Sequence, residues 1–107
     1  MIIAQQLTFR AKKGKEVELR TILNDMVAKT STEKGCLKYE LYQLEEDRGS
    51  FFLIEIWKSK AKYLKYKSSE KSRQFKTEIA DLIDHQDSTA LKLTQCLTKQ
   101  NYWSEEA

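Results

Sequence analysis

The sequence contains 107 residues, of which 40% are hydrophobic and 33% are charged, and its formal net charge is +3. This length fits one domain, and the composition is typical of a globular chain rather than a disordered one. No apolar run approaches the ~18 residues that a membrane-spanning helix needs. Residues 1–10 lack the basic and apolar regions of a secretory signal. We therefore expect a cytoplasmic protein with no membrane partner.

The scarcity of cysteine, histidine and glycine excludes several kinds of site. Cys36 and Cys96 are the only cysteines and His85 is the only histidine, whereas a structural zinc site needs about four such ligands. In a reducing compartment we expect the cysteines to be unpaired and packed as small apolar side chains, although a catalytic Cys–His pair stays open. The three glycines do not cluster, which excludes phosphate-binding loops and dinucleotide fingerprints.

The first half of the chain predicts a strand, a helix and a hairpin. Residues 2–10 alternate between two faces, as a strand does. Apolar residues spaced by three and four predict an amphipathic helix over 15–34, and Gly35 suits its left-handed C-terminal cap. Residues 36–44 and 51–57 predict two strands joined by a polar turn.

The second half predicts two helices and a strand. Residues 59–68 and 71–84 have helical spacing, and residues 88–98 alternate again. His85 follows the last predicted helix, where we expect it to cap the helix end from a loop. Residues 99–107 predict an irregular C-terminal tail.

The order β-α-β-β-α-β, with the second helical segment broken in two, predicts an α+β ferredoxin-like fold for residues 1–98. The helices would cover one face of a four-stranded antiparallel sheet. The expected strand order is 4-1-3-2, which places Cys36 and Cys96 on opposite edge strands.

The third predicted strand is apolar on both of its faces. The apolar residues are Phe51, Leu53 and Trp57 on one face and Phe52, Ile54 and Ile56 on the other. An antiparallel strand that is half solvated normally carries polar residues on one face, and monomers seldom expose large apolar patches. Because the helices cover only one face, we expect a homodimer that packs sheet on sheet. A monomer whose aromatic sheet face binds another molecule is the alternative.

Four segments, in this order and spacing, resemble the antibiotic biosynthesis monooxygenase (ABM) family. They are GKE at 14–16, GCLKYEL at 35–41, FLIEIW at 52–57, and Ala61 followed by Tyr63 and Phe75. The resemblance covers residues 2–98. It implies a dimeric α+β barrel in which each subunit keeps a pocket between its sheet and its helices.

The best-known members of this family oxidise quinols or polyketide phenols with dioxygen and without a metal or flavin. An electron-rich phenolate can reduce dioxygen itself, so the protein needs only to bind it, deprotonate it and exclude water. The resemblance therefore implies a cofactor-independent monooxygenase acting on a small aromatic molecule. Tyr66 and residues 70–71 stand where many members have histidines, whereas Trp57 and Tyr63 match an aromatic pair that lines the pocket of polyketide-oxidising members.

The candidate site residues are aromatic, apart from one carboxylate. Tyr66 and Tyr63, three positions apart on a short predicted helix, are the catalytic candidates, with ordinary half-buried packing as the alternative. The candidates for substrate binding are Trp57, Tyr39, Phe75 and Glu55. Glu55 and Glu40 are both carboxylates within apolar strands. Such a carboxylate must be paired, be exposed or have a raised pKa. In the last case it could act as a general base.

Residues 58–76 contain eight lysines and arginines and only one acid, Glu70. This basic segment is either a solvated helix face or a surface that attracts an anionic ligand. An RNA-recognition domain would have the same element order, but Ser50 and Glu55 stand where its third strand needs stacking aromatics, so we expect no nucleic-acid partner. Three alternatives stay open: a non-catalytic ligand-binding or sensor protein, an isomerase, and a haem-degrading relative. The haem-degrading relative would lack the axial histidine that binds the iron.

Overall fold

The computed structural model describes residues 1–95, which form a four-stranded sheet covered on one face by helices. Its elements in chain order are β1 (Ile3–Ala11), α1 (Glu16–Thr30), β2 (Cys36–Leu44), β3 (Asp47–Trp57), α2 (Lys60–Lys67), α3 (Glu70–Ala80) and β4 (Ile83–Leu91). The neighbouring strands pair antiparallel in the order β2-β3-β1-β4. The predicted α+β ferredoxin-like class and the strand order 4-1-3-2 are therefore confirmed. Within the described residues, no helix has the length and apolar character to cross a membrane.

Two serine caps divide the second helical segment, as the sequence predicts. The Ser59 hydroxyl accepts a hydrogen bond from the Lys62 backbone N–H at the start of α2. The Ser69 hydroxyl accepts one from the Ser72 N–H at the start of α3 and donates another to the Tyr66 carbonyl at 2.6 Å. Serine suits this position because its side chain satisfies an amide that the helix leaves without a partner. The second helical segment is therefore two helices, α2 and α3, each with its own serine cap.

The predicted end of the last helix and the predicted start of the last strand are both wrong. Helix α3 ends at Ala80, and β4 runs from Ile83 to Leu91 instead of from 88 to 98. His85 consequently lies on β4 opposite Arg10, with Nε2 3.6 Å from Asp87 Oδ2, and does not cap a helix. All of β4 after Ile83 is exposed, so the strand lacks the apolar alternation that would have revealed it. Cys96 and the predicted tail lie outside the described residues.

The β2–β3 hairpin turns more tightly than predicted, because β3 begins at Asp47 rather than at residue 51. The Asp47 carboxylate accepts hydrogen bonds from the Gly49 N–H at 3.1 Å and the Ser50 hydroxyl at 2.6 Å, and it pairs with Arg10 at 3.2 Å. These contacts satisfy the polar groups of residues 47–50 within the strand. In the sequence alone, the same residues resemble a turn.

Gly35 has a φ of +86°, as expected for a glycine required by its backbone conformation. It is not the cap of α1, whose C-cap is Ser31, but lies in the turn before β2. Its carbonyl accepts a 2.7 Å hydrogen bond from the Lys58 N–H, and a Cβ at this position would lie 2.6 Å from Cβ of Lys62. The missing side chain therefore lets the start of α2 approach the start of β2 closely.

The core lies between the sheet and the helices, and the other face of the sheet is uncovered in the single chain. Core residues from the sheet and from α1 and α3 include Leu7, Phe9, Leu19, Leu23, Phe51, Leu53, Phe75 and Ile79. The predicted division of β3 is confirmed, since Phe51, Leu53 and Trp57 are buried on the helix side. On the uncovered side Phe52 and Ile54 are half-buried, and the Phe52 ring stacks on Tyr42 at 5.0 Å.

Candidate functional site

A cavity of about 40 Å³ lies between the helix-side face of the sheet and helices α1, α2 and α3. Its wall includes four of the predicted site residues, Tyr39, Glu55, Tyr66 and Phe75. This volume has room for water but not for an aromatic ring, because a cavity of ~150 Å³ is needed to hold benzene. A ring can therefore enter only if wall side chains move, and the unbranched Met26 in the wall is suited to such movement.

Trp57 and Tyr63, the other two predicted site residues, lie next to the cavity wall rather than in it. The indole of Trp57 is fully buried and stacks on Tyr66, with ring centroids 5.2 Å apart. Tyr63 meets the same indole edge to face at 6.4 Å, and its hydroxyl accepts a hydrogen bond from Gln5 Nε2. The structure thus gathers the six predicted residues into one cluster of five aromatic side chains and a single carboxylate.

Glu55 is held on the helix side of β3 by the alternation of the strand. Its register partners are Gln5 on β1 and Tyr39 on β2, so it lies in the middle of the sheet, and it is only 1% exposed. The Trp57 indole N–H donates a 2.7 Å hydrogen bond to Oε1. Burial raises the pKa of the Glu55 carboxyl, and the hydrogen bond from Trp57 and the charge of Lys67 oppose that rise only in part. A carboxyl with a raised pKa is suited to proton transfer near neutral pH.

The two buried tyrosine hydroxyls form a network with Thr30. Thr30 Oγ1 and the Tyr66 hydroxyl are 2.8 Å apart, and the Tyr39 hydroxyl interacts with both. Burial raises the pKa of Tyr39 and of Tyr66, and also that of Tyr63. All three phenols therefore stay protonated at neutral pH, where they can donate hydrogen bonds but cannot act as bases.

Thr30, which is fully buried, was missed by the sequence analysis. The signal that could have found it is spacing, because Thr30 continues the series of buried α1 positions Leu19, Leu23 and Met26. A threonine on the buried face of a helix needs a hydrogen-bond partner. That requirement points to a polar group on the opposite wall.

Two lysines of the basic segment also line the cavity. Lys67 is half-buried, with Nζ 5.9 Å from the centre of the Tyr63 ring, and Lys76 is exposed. Their neighbours Lys71 and Arg73 pair with Glu33 and Glu70. Among residues 1–95, neither Lys67 nor Lys76 has a carboxylate within 4.0 Å. Two lysines that form no ion pair within the described residues therefore lie at the cavity.

The remaining polar candidates do not line the cavity. Glu40 is held by Lys38 at 3.5 Å and by the Tyr42 hydroxyl at 2.6 Å, so this carboxylate is paired on the strand. Burial raises the pKa of Cys36 to about 11, which makes its thiol a poor nucleophile. Cys36 and His85 lie on the opposite edge strands β2 and β4, which excludes a catalytic Cys36–His85 pair. Residues 1–95 contain no group of three or more His, Cys, Asp or Glu residues that could hold a metal ion.

The sequence matches the family model of the antibiotic biosynthesis monooxygenases over residues 2–78. The chain belongs to this family. A search of curated proteins found no match. The fold is shared with solved structures of similar length, so the expectation drawn from the four sequence segments is confirmed for the ABM family and for the α+β ferredoxin-like fold of the single chain.

Three of these solved structures illustrate the likeness. PA3566 from Pseudomonas aeruginosa is 26% identical with a TM-score of 0.82, the match covering 88% of this chain and 95% of that protein. Rv0793 from Mycobacterium tuberculosis is 21% identical with a TM-score of 0.82, the match covering 92% and 100%. A protein named an antibiotic biosynthesis monooxygenase is 20% identical with a TM-score of 0.79, the match covering 89% and 100%.

Proposed function

We propose that this ABM protein is a cofactor-independent monooxygenase that oxidises a small phenol or quinol with dioxygen in the cavity between sheet and helices. The observation that carries the proposal is Glu55, a buried carboxyl with a raised pKa in the cavity wall. It supplies the base that Tyr66 and Tyr63 cannot supply. The aromatic residues around it, Tyr39, Tyr66 and Phe75, provide surfaces for stacking on a ring.

The reaction needs no external reductant, since the substrate supplies all four electrons. Glu55 takes the proton of the phenolic hydroxyl, and the resulting phenolate transfers electrons to dioxygen. One oxygen atom replaces the hydrogen of a ring carbon and becomes a carbonyl, while the other leaves as water. Phenol and dioxygen thus give a quinone and water with all atoms balanced. Glu55 returns its proton to the departing oxygen, and the neutral Tyr39 and Tyr66 hydroxyls orient the oxygen atoms by hydrogen bonds.

Dioxygen consumption measures this activity directly. We expect the purified protein, treated with a chelator, to consume one dioxygen per molecule of product from anthrone or 1,4-dihydroxynaphthalene without forming hydrogen peroxide. Heat-denatured protein controls for autoxidation. Saturable binding of these compounds without dioxygen uptake would contradict the proposal and favour the non-catalytic ligand-binding protein instead.

We also infer that the protein is a homodimer formed through the uncovered face of the sheet. Half-buried Phe52 and Ile54 lie at the centre of this face, and Tyr42 beside them is 43% exposed. A second copy packed on this row would remove its apolar surface from water and stabilise the assembly. The same face in the partner would supply a complementary surface, because a two-fold interface pairs each patch with itself.

Sedimentation equilibrium tests the dimer. We expect the native protein at micromolar concentration to have twice the 12.6 kDa mass of the chain, and we expect Ile54→Lys to have the mass of one chain, because the lysine places a charge in the interface. Val17→Lys is the matched control, since Val17 is 59% exposed on α1, away from the sheet. A folded native protein with the mass of one chain would refute the dimer.

A further inference from the structure

The cavity opens to solvent past basic side chains. Most residues of its wall are buried, whereas Lys76 and Gln86 are exposed and Lys67 is half-buried. These three residues come from α3, β4 and α2 and form the rim of the opening. A ligand that enters the cavity therefore passes two ammonium groups before it reaches Glu55.

The rim lysines differ from other cations of the basic segment, because neither of them forms an ion pair with a carboxylate of the described residues. Lys71 has Glu33 as a partner and Arg73 has Glu70. Neither Lys67 nor Lys76 has a carboxylate within 4.0 Å in the described residues. The charge of Lys67 does act on Glu55, but this carboxyl is buried and accepts its hydrogen bond from Trp57. Two ammonium groups without an ion pair at one opening attract an anion and raise its local concentration.

The opposite charge of the inner wall fixes the orientation of such an anion. The Glu55 carboxylate would repel a second carboxylate but accepts a hydrogen bond from a hydroxyl. A ligand with a hydroxyl at one end and an anionic group at the other therefore matches the site only with the hydroxyl inward. The anionic group then remains at the rim, where it forms charge-assisted hydrogen bonds.

We propose that the substrate of this protein is an anionic aromatic, a phenol or quinol with a carboxylate that Lys67 and Lys76 bind at the cavity rim. This inference rests on the proposed function, since it assigns a ligand class to the same cavity. Lys67 and Lys76 determine specificity, and Glu55 remains the group that receives the hydroxyl proton.

Two ligands that share a ring but differ in charge separate the contribution of the carboxylate to binding from that of the ring. We expect 2,5-dihydroxybenzoate to bind at least ten times more tightly than the neutral 2,5-dihydroxybenzamide, measured by titration calorimetry under argon to prevent oxidation. The preference should shrink in Lys67→Met and in Lys76→Met and vanish in the double variant. Rising salt should weaken binding of the benzoate only. Lys65→Met is the control, because Lys65 is exposed on α2 and does not line the cavity.

The outcomes distinguish the two proposals. Equal affinity for the two ligands, or a preference that persists in the double variant, would overturn the anionic substrate while leaving the aromatic site intact. Binding of neither ligand to a native protein that oxidises anthrone would overturn the anionic substrate alone, whereas the absence of both binding and dioxygen uptake would overturn both. Thermal unfolding of each variant shows whether it is folded, and the comparison of the two ligands on the native protein needs no variant.

Discussion

Replacing Glu55 by glutamine is expected to lower kcat by at least about 100-fold, the lower end of what a general base contributes. Glutamine keeps the shape of the side chain, and its carbonyl can still accept the hydrogen bond from Trp57 Nε1, but it cannot take a proton. Glu40→Gln is the matched control, because Glu40 lies on β2 and is paired with Lys38 away from the cavity. Unchanged turnover in Glu55→Gln, measured as dioxygen uptake, would remove Glu55 from the mechanism.

The same substitution should change how stability depends on pH. Burial raises the pKa of Glu55 in the folded protein, so the folded state holds the proton more tightly than the unfolded chain. Below pH ~4.3, the pKa of a glutamate in an unfolded chain, the carboxyl is protonated in both states and does not lower the free energy of unfolding. As the pH rises towards the folded pKa, stability is progressively lost. Urea unfolding should therefore show Glu55→Gln gaining stability over the native protein as pH increases from 4 to 8, and parallel curves would contradict this.

The second large effect is expected at Trp57, where alanine should lower the free energy of unfolding by about 3–5 kcal/mol, as for other buried aromatic side chains. The indole is fully buried and packs against Tyr66 and Tyr63. Alanine removes both ring contacts and leaves a cavity beside α2. Urea denaturation at pH 7 measures the loss.

Trp57→Phe separates packing from the hydrogen bond to Glu55. Phenylalanine retains most of the ring contacts but has no N–H, so we expect a smaller loss of about 1–3 kcal/mol, typical of a hydrogen bond to a charged group. In a double-mutant cycle, Glu55→Gln should reduce the cost of Trp57→Phe, since the acceptor is then neutral. Strictly additive effects would show that the negative charge of Glu55 adds nothing to this hydrogen bond.

The sequence predicts the elements whose residues face a core, and it fails where they do not. β1 alternates, β3 is apolar almost throughout residues 51–57, and α1 repeats its apolar residues, because the sheet and the helix bury these faces against each other. Strand β4 is an edge strand with almost no buried residue, so its pattern is weak, and Leu82 and Ile83 extend the preceding helical spacing instead. The incorrect helix end and the incorrect place of His85 both follow from that.

The site could be predicted as far as strand geometry determines it. Alternation places Tyr39, Glu55 and Trp57 on the helix side of the sheet, where a pocket can form. Which side chains of α2 and α3 reach that pocket depends on how the helices rotate as they pack, which no local pattern specifies. For this reason Tyr66 and Tyr63 could not be distinguished in advance, and Lys67 and Lys76 could not be separated from the other basic residues.

Glu55 belongs to β3, which is hydrogen-bonded on both sides, to β1 and to β2. The rim lysines belong to short peripheral helices that begin at single serine caps. The carboxyl is thus anchored in an inner strand of the sheet, whereas the rim lysines are carried by the helices that cover it. Replacing the two rim lysines alone should therefore retune which molecules enter the cavity without disturbing the strand that carries Glu55.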